Sequence, residues 1–308
     1  MLRYAARRIL QSVVVLFAVT ALSFFLLHLA PGDPVDLLVG EAPMTTEQLQ
    51  AIRHFWGLDR PVQEQYVIWL ANMARGDLGE SVGFGGRKVA DIIRDAAPAT
   101  IQLNLLALLL STAVAIPAGV IAALRKNSAY DAGIMLGSVL GISLPGFWLG
   151  LMLIVLFSLT LRLLPPFGQS DWRSYVMPVF VLATEQMALL ARMSRATMLE
   201  VLDQEYVRTA RAKGLPERTV VVRHAMRNAI APIVTLIGYR IAFLLSGTIV
   251  IETVFGWPGI GRLLFQAIGQ RDYVVVQAIT LLGGTLVVVT NLVIDLTYAF
   301  IDPRIRYR

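Results

Sequence analysis

The chain has 308 residues, with 24 glycines, 14 prolines and no cysteine; 56% are hydrophobic and only 16% charged, well below the roughly 25% charged residues of a soluble domain. That is not the composition of an ordinary cytosolic enzyme, and without cysteine there is no disulfide framework, thiolate zinc site or cysteine nucleophile. A net charge of +6 at pH 7 by itself permits a nucleic-acid partner, but the placement of the basic residues decides against one.

A membrane-spanning helix needs about 20 mostly apolar residues, since the hydrocarbon layer is roughly 30 Å thick and a helix rises about 1.5 Å per residue. Six stretches qualify: residues 9–30, 99–123, 132–160, 176–190, 229–251 and 274–300. The first follows Arg3, Arg7 and Arg8. It resembles a signal peptide, but its length and lack of a small-residue cleavage pattern mark it as a retained anchor.

Residues 31–98 come next, with ten acidic and six basic side chains and breaks at Pro31, Pro34, Pro43 and Pro61. Thr45 and Thr46 ahead of Glu47 and Gln48 are helix-start signals, and Tyr66, Ile68, Trp69, Leu70 and Met73 recur near helical spacing. Two short amphipathic helices outside the membrane are predicted. The string GESVG at 79–83 matches a Gly-x-Ser-x-Gly nucleophile elbow around Ser81, but no strand pattern flanks it. His28, His54 and His224 are scattered without metal-ligand spacing.

Within the spans, Pro117, Pro145, Pro178 and Pro232 remove helix hydrogen bonds and can turn carbonyls toward a pathway. Small or hydroxylated residues at Gly141, Ser143, Gly146, Ser246, Gly247 and Thr248 are helix-packing positions, with a minority expected along a translocation route. Three charges lie inside spans, each costing about 2.5–3.5 kcal/mol on insertion scales: Glu185, Arg240 and Asp295. Glu185 and Arg240 both fall about 14 Å from the outer face, so they are expected to pair or to line a pathway jointly. Two readings stand: an ion pair locking two helices, or direct contact with a transported solute. Asp295, near the inner end of the last span, reads as a helix–helix or interfacial contact.

The basic residues give an orientation. Sixteen lie in 1–8, 124–131, 191–228 and 301–308, against four in the short segments 161–175 and 252–273. The positive-inside rule therefore places both termini and the long loop 191–228 in the cytoplasm. That loop is basic and reads as helical, interrupted at Gly214, Leu215 and Pro216. A short helix at about 208–212 carries small side chains at Thr209, Ala210 and Ala212, a glycine stop at Gly214, and positive charge from Arg208, Arg211, Lys213 and Arg218. It suits either docking into a partner's groove or a solvated basic loop.

Its pattern carries a family resemblance. The segment YVRTARAKG at 206–214, with RHA at 223–225, resembles the cytoplasmic loop of ABC-importer permeases, whose pattern is Glu-Ala-Ala, three residues, Gly, nine residues, Ile-x-Leu-Pro. Gly214 and Ala210 keep the family's glycine and second alanine; Arg208 and Thr209 replace Glu and Ala, and 224–227 do not read Ile-x-Leu-Pro. The variant is similar to the dipeptide, oligopeptide and nickel group. Agreement continues through LAPGDPV at 29–35, WGLDRPVQEQY at 56–66, RGDLGES at 75–81, ISLPGFWLG at 142–150, ETVFGWPGIG at 252–261 and IDLTYAFIDPRIR at 294–306.

The resemblance implies an all-α membrane protein with six transmembrane helices in the type I ABC importer permease fold, with a long extracytoplasmic segment after the first helix. Residues 1–94 would hold the first span and that segment, and 95–308 a five-span core with the coupling loop 191–228. Its implied partners are a homologous second permease, two cytoplasmic ATPase subunits, an extracytoplasmic substrate-binding protein and membrane lipid. Tyr206, Arg208, Thr209, Ala210, Arg211, Ala212, Lys213 and Gly214 would couple to the ATPases. No Gly-Lys dipeptide, and so no P-loop, is present; ATP and Mg are expected on the partners, with no cofactor and no catalysis on this chain. Peptides are the expected cargo, with nickel chelates, glutathione or other small solutes as alternatives and, from another class, a proton-coupled secondary transporter.

Overall fold

The computed structural model describes residues 2–28, 45–55, 57, 59–242 and 248–301. Among the described residues the chain is helical, with a single isolated bridge between Glu80 and Lys88. Five helices among the described residues are long and apolar enough to cross a membrane, and a bent pair supplies a sixth if it counts as one span. The chain divides into two compact units, 1–98 with 262–308, and 99–261.

In the first unit, α1 (Leu2–His28) lies along α13 (Tyr273–Ile301), close enough that a Cβ on Gly284 would sit 2.7 Å from Val19 Cγ1. The two helices expected in 31–98 are present as α2 (Thr46–Phe55) and α3 (Val62–Ala74). Thr45 starts α2 with a reciprocal cap: its Oγ1 accepts from Gln48 N at 3.3 Å, and its own N–H donates to Gln48 Oε1 at 2.9 Å. The helix α3 packs against α1. Tyr66 packs on Phe17, Phe24 and Phe25 of α1, with its hydroxyl 2.8 Å from Thr20 Oγ1, inside the stretch Ala6–Phe25 that has the length and hydropathy of a span. Of the apolar stripe, Tyr66 and Trp69 are thus used against α1.

The GESVG turn belongs to this unit too. Ser81 is buried and donates to Asp272 Oδ2 at 2.5 Å, while Gly83 N donates to the same oxygen at 3.0 Å and Asp272 Oδ1 caps Val275 N at 3.2 Å. The serine is a structural tie at the start of α13. Among the described residues no strand precedes it, so the elbow geometry is missing there.

The second unit is built around α7 (Arg173–Leu202), flanked by the C-terminal part of α4 (Val89–Leu124), α5 (Ala129–Ser143) and α10 (Met226–Ala242). Gly119 of α4 sits so close to α7 that a Cβ would meet Ala191 O and Ser194 Cβ, each at 2.5 Å. The stretch expected as one span, 132–160, is broken: α5 ends at Ser143, Leu144 is extended (φ −83°, ψ 121°), and α6 (Gly146–Leu153) departs at 99° before ending in a π-helical segment, Ile154–Thr160. Pro145 is the cause, because its ring disfavours helical geometry at the residue before it and it has no N–H to give the preceding turn.

The loop 191–228 has one break more than predicted. After α7 ends at Leu202, Gln204 turns extended (φ −71°, ψ 146°) and starts α8 (Glu205–Ala212). This fold-back lets Val207 and Ala210 meet Val220, with Val201 and Leu202 packed alongside. The short α9 (Glu217–Thr219) then leads through a π-helical turn, Val220–Ala225, into α10. The fifth expected span, 229–251, is occupied by α10 as far as Ala242; Ser246 and Gly247 lie outside the described residues, and α11 (Ile249–Val254) follows. α12 (Ile260–Gly269) precedes α13. The side chain of Asp295, the segment 29–35 and residues 302–308 also lie outside the described residues.

Candidate functional site

Two clusters of predicted residues can be located, both inside the 99–261 unit. The first is the hairpin around α8. It ends in a Schellman turn: Gly214 N donates to Arg211 O at 2.9 Å and Leu215 N to Ala210 O at 3.4 Å, with Gly214 at φ +75°. An L side chain is strained at that angle, which accounts for the glycine. Arg211 closes the hairpin with a two-pronged bond to Glu217, Nη2 to Oε1 at 2.7 Å and Nε to Oε2 at 3.2 Å. That bond raises the pKa of the Arg211 guanidinium above its ordinary value.

Of the eight expected coupling residues, Tyr206, Arg208, Thr209, Arg211, Ala212, Lys213 and Gly214 are exposed. Ala210 is buried together with Val207, so the alanine expected to admit a partner instead admits Val220 of the same loop. Tyr206 is tied at its hydroxyl, which accepts from Asn228 Nδ2 at 2.6 Å. The result is a preformed knob with a small, polar and basic outer surface.

A further ion pair in this unit was not anticipated from the sequence, where Arg195 counted only among the basic residues of 191–228. Arg195 of α7 grips Asp131 of α5, Nε to Oδ1 at 2.5 Å and Nη2 to Oδ2 at 2.7 Å, and Asn127 N adds a bond to Oδ2 at 3.0 Å. The carboxylate is only 6% exposed. The partners are 64 residues apart in sequence, and no local pattern announces such a pair.

The second cluster is a cavity of about 280 Å³ whose wall includes Asn104, the α5–α6 bend, Glu185 and Arg240. The two charges meet: Arg240 Nη2 lies 3.3 Å from Glu185 Oε1. Glu185 is 64% exposed and Arg240 24%. The buried carboxylate of Glu252 accepts at Oε1 from Thr100 Oγ1 and Thr248 Oγ1, each at 2.7 Å. Nearby, Trp257 Nε1 donates to Ala99 O at 3.0 Å and Ile260 N to Thr100 Oγ1 at 2.8 Å. Gly259 leaves the room: a Cβ there would lie 2.4 Å from Glu252 Oε2. The segment 252–261, noticed in the sequence as a family mark, is therefore a buried polar clasp. Among the described residues no group of three or more His, Asp or Glu is placed to hold a metal ion.

The chain is similar to known proteins over its whole length. Residues 115–307 match the family described as "Binding-protein-dependent transport system inner membrane component", and residues 1–104 its companion, "Binding-prot-dependent transport system membrane comp, N-term". The chain is 40% identical over 317 residues to the oligopeptide transport system permease protein AppB of Bacillus subtilis (strain 168), and 40% over 336 to the di/tripeptide transport system permease protein DppB of Pseudomonas aeruginosa (strain UCBPP-PA14). It is 41% identical over 308 residues to the glutathione transport system permease protein GsiC of Escherichia coli O6:H1. Each alignment covers 100% of both chains. A solved structure titled "Crystal structure of an amino acid ABC transporter with histidines" superposes with a TM-score of 0.50 at 17% identity, over 67% of this chain and 92% of that one. At that identity the likeness concerns the fold alone.

Proposed function

Because the chain belongs to the family of binding-protein-dependent transport system inner membrane components, we propose that it is the membrane-spanning permease of an ATP-driven importer of di- or oligopeptides. The observation that carries this reading is full-length identity of 40–41% to permeases of oligopeptide, di/tripeptide and glutathione transport systems. Glutathione, a γ-linked tripeptide, falls within the same chemical class of cargo.

In this reading the chain pairs with a second, homologous permease and rests on two cytoplasmic ATPase subunits, which bind ATP and Mg²⁺. An extracytoplasmic binding protein delivers the peptide, and this chain performs no bond chemistry of its own. Both termini face the cytoplasm. Tyr206, Arg208, Thr209, Ala212, Lys213 and Gly214 meet the ATPase, while Ala210 and Arg211 hold the hairpin's shape for that contact. Glu185 and Arg240 line the translocation route. Residues 1–94 serve as span and outer segment, and 95–308 as the moving core. To matter, the hairpin contact must favour one orientation of that core over the other by a few kcal/mol, since equal binding to both shifts nothing.

The test is reconstitution of the chain with its cognate permease, ATPases and binding protein in proteoliposomes. ATP-dependent uptake of a dipeptide, lost when residues 205–214 are scrambled, is expected. Uptake driven by a proton gradient without ATPases would replace this reading with that of a secondary carrier.

A further inference from the structure

The Glu185–Arg240 contact in the cavity differs from the Asp131–Arg195 pair of the same unit. The Asp131–Arg195 pair has two short bonds, at 2.5 and 2.7 Å, around a carboxylate that is 6% exposed; that is the geometry of a helix lock. Glu185 and Arg240 share one bond, at 3.3 Å, on a carboxylate that is 64% exposed. Such a contact is long and single, and within this chain the carboxylate is open to a competing cation.

The surroundings favour a cation as well. Gly141, Pro145 and Gly146 form part of the cavity wall. Since Pro145 has no N–H, the carbonyl of Gly141 loses the donor a continuous helix would give it. Asn104, Thr184 and Gln186 add polar groups to the wall. At about 280 Å³, the cavity is near the lower end of small-molecule sites, enough for the end of a peptide and not for a long one.

We propose that Glu185 is the transit acceptor for the α-ammonium group of the peptide, and that Arg240 is the counter-ion this ammonium displaces. The inference rests on the importer reading and adds the group recognised. The displaced guanidinium is then available to the carboxylate of a short peptide, so a zwitterion can enter with its charges partnered. Charge balance is preserved: one internal ion pair is exchanged for two contacts with a molecule of no net charge.

The experiment is ATP-driven dipeptide uptake at saturating loaded binding protein, in proteoliposomes holding the complete importer, for wild type, Glu185→Gln, Arg240→Met and the double variant. Glu185→Gln is expected to lower turnover at least ten-fold and Arg240→Met by a smaller factor, with the double variant as slow as Glu185→Gln. A double variant restored to wild-type turnover, or equal losses in the two single variants, would identify a locking pair and overturn the proposal. As a second variant, Glu185→Cys uses the chain's lack of native cysteine. A thiol reagent bearing a carboxylate should restore uptake and its uncharged analogue should not; equal effects of the two reagents would overturn it. Wild-type complexes with no ATP-driven uptake of any peptide would overturn the importer reading and this acceptor with it, whereas normal wild-type uptake with an indifferent Glu185 removes the acceptor alone.

Discussion

Thr100, Thr248 and Glu252 form a clasp whose members lie up to 152 residues apart. Each hydroxyl bond to the buried carboxylate is worth about 1–2 kcal/mol, because its loss leaves a buried acceptor short of a donor. Thr100→Val is therefore expected to destabilise the detergent-solubilised protein by about that amount, read as a lower melting temperature. Gly259→Ala should do more, since a methyl there would lie 2.4 Å from both Glu252 Oε2 and Thr100 Oγ1; the check is whether Gly259→Ser, larger still, melts lower again. The sequence could not disclose this clasp. Glu252 reads as an outer-loop charge next to a span, and only the fold brings Thr100 to it. The same is true of Asp131 and Arg195, whereas Glu185 and Arg240 stood out because a charge in an apolar run is costly wherever it points.

Elements were more legible than pairs, because caps and breaks are local. Thr45 and Gln48 announced α2 through chemistry spanning three residues, and Gly214 announced the end of the hairpin. At Gly214, where φ is +75°, Gly214→Val is expected to cost at least about 1–2 kcal/mol of local strain. It should weaken co-purification of the ATPase subunits while leaving yield in the membrane fraction near wild type. The severity of the bend at Pro145 was less legible, since a proline within a span kinks as often as it breaks. The 99° turn depends on Leu144 adopting extended geometry in the packed structure. The packing of Tyr66 on α1 was not legible, because an amphipathic stripe does not say what it meets. With Tyr66 bonded to Thr20 and Val67 63% exposed on the other side, α3 is expected to rest in the outer leaflet. Cysteine at Val67 should resist a membrane-impermeant maleimide and cysteine at Glu64 should react; equal labelling would refute that placement.

For the molecule as a whole, hydropathy and the distribution of basic residues were sufficient to predict a polytopic helical protein, because lipid forces backbone bonding to be satisfied within each span. They could not say which surfaces move. If the hairpin transmits the ATPase stroke, reversing its outer charge with Arg208→Glu and Lys213→Glu should reduce uptake more than ten-fold while membrane insertion stays intact, as judged by protease protection of the termini. Equal uptake would separate the hairpin from energy transfer.

The two-pronged bond from Arg211 to Glu217, with the glycine turn between them, has a mechanical corollary. A handle whose shape is already set by this bond and the turn would spend less entropy on being grasped. If the hairpin is the coupling element, a pull on its tip would pass to the Val207–Val220 contact, and an engine subunit with a matching socket would drive it. Sharing one ATPase among several such permeases would then need only a conserved tip, with the rest of each chain left to diversify around its cargo.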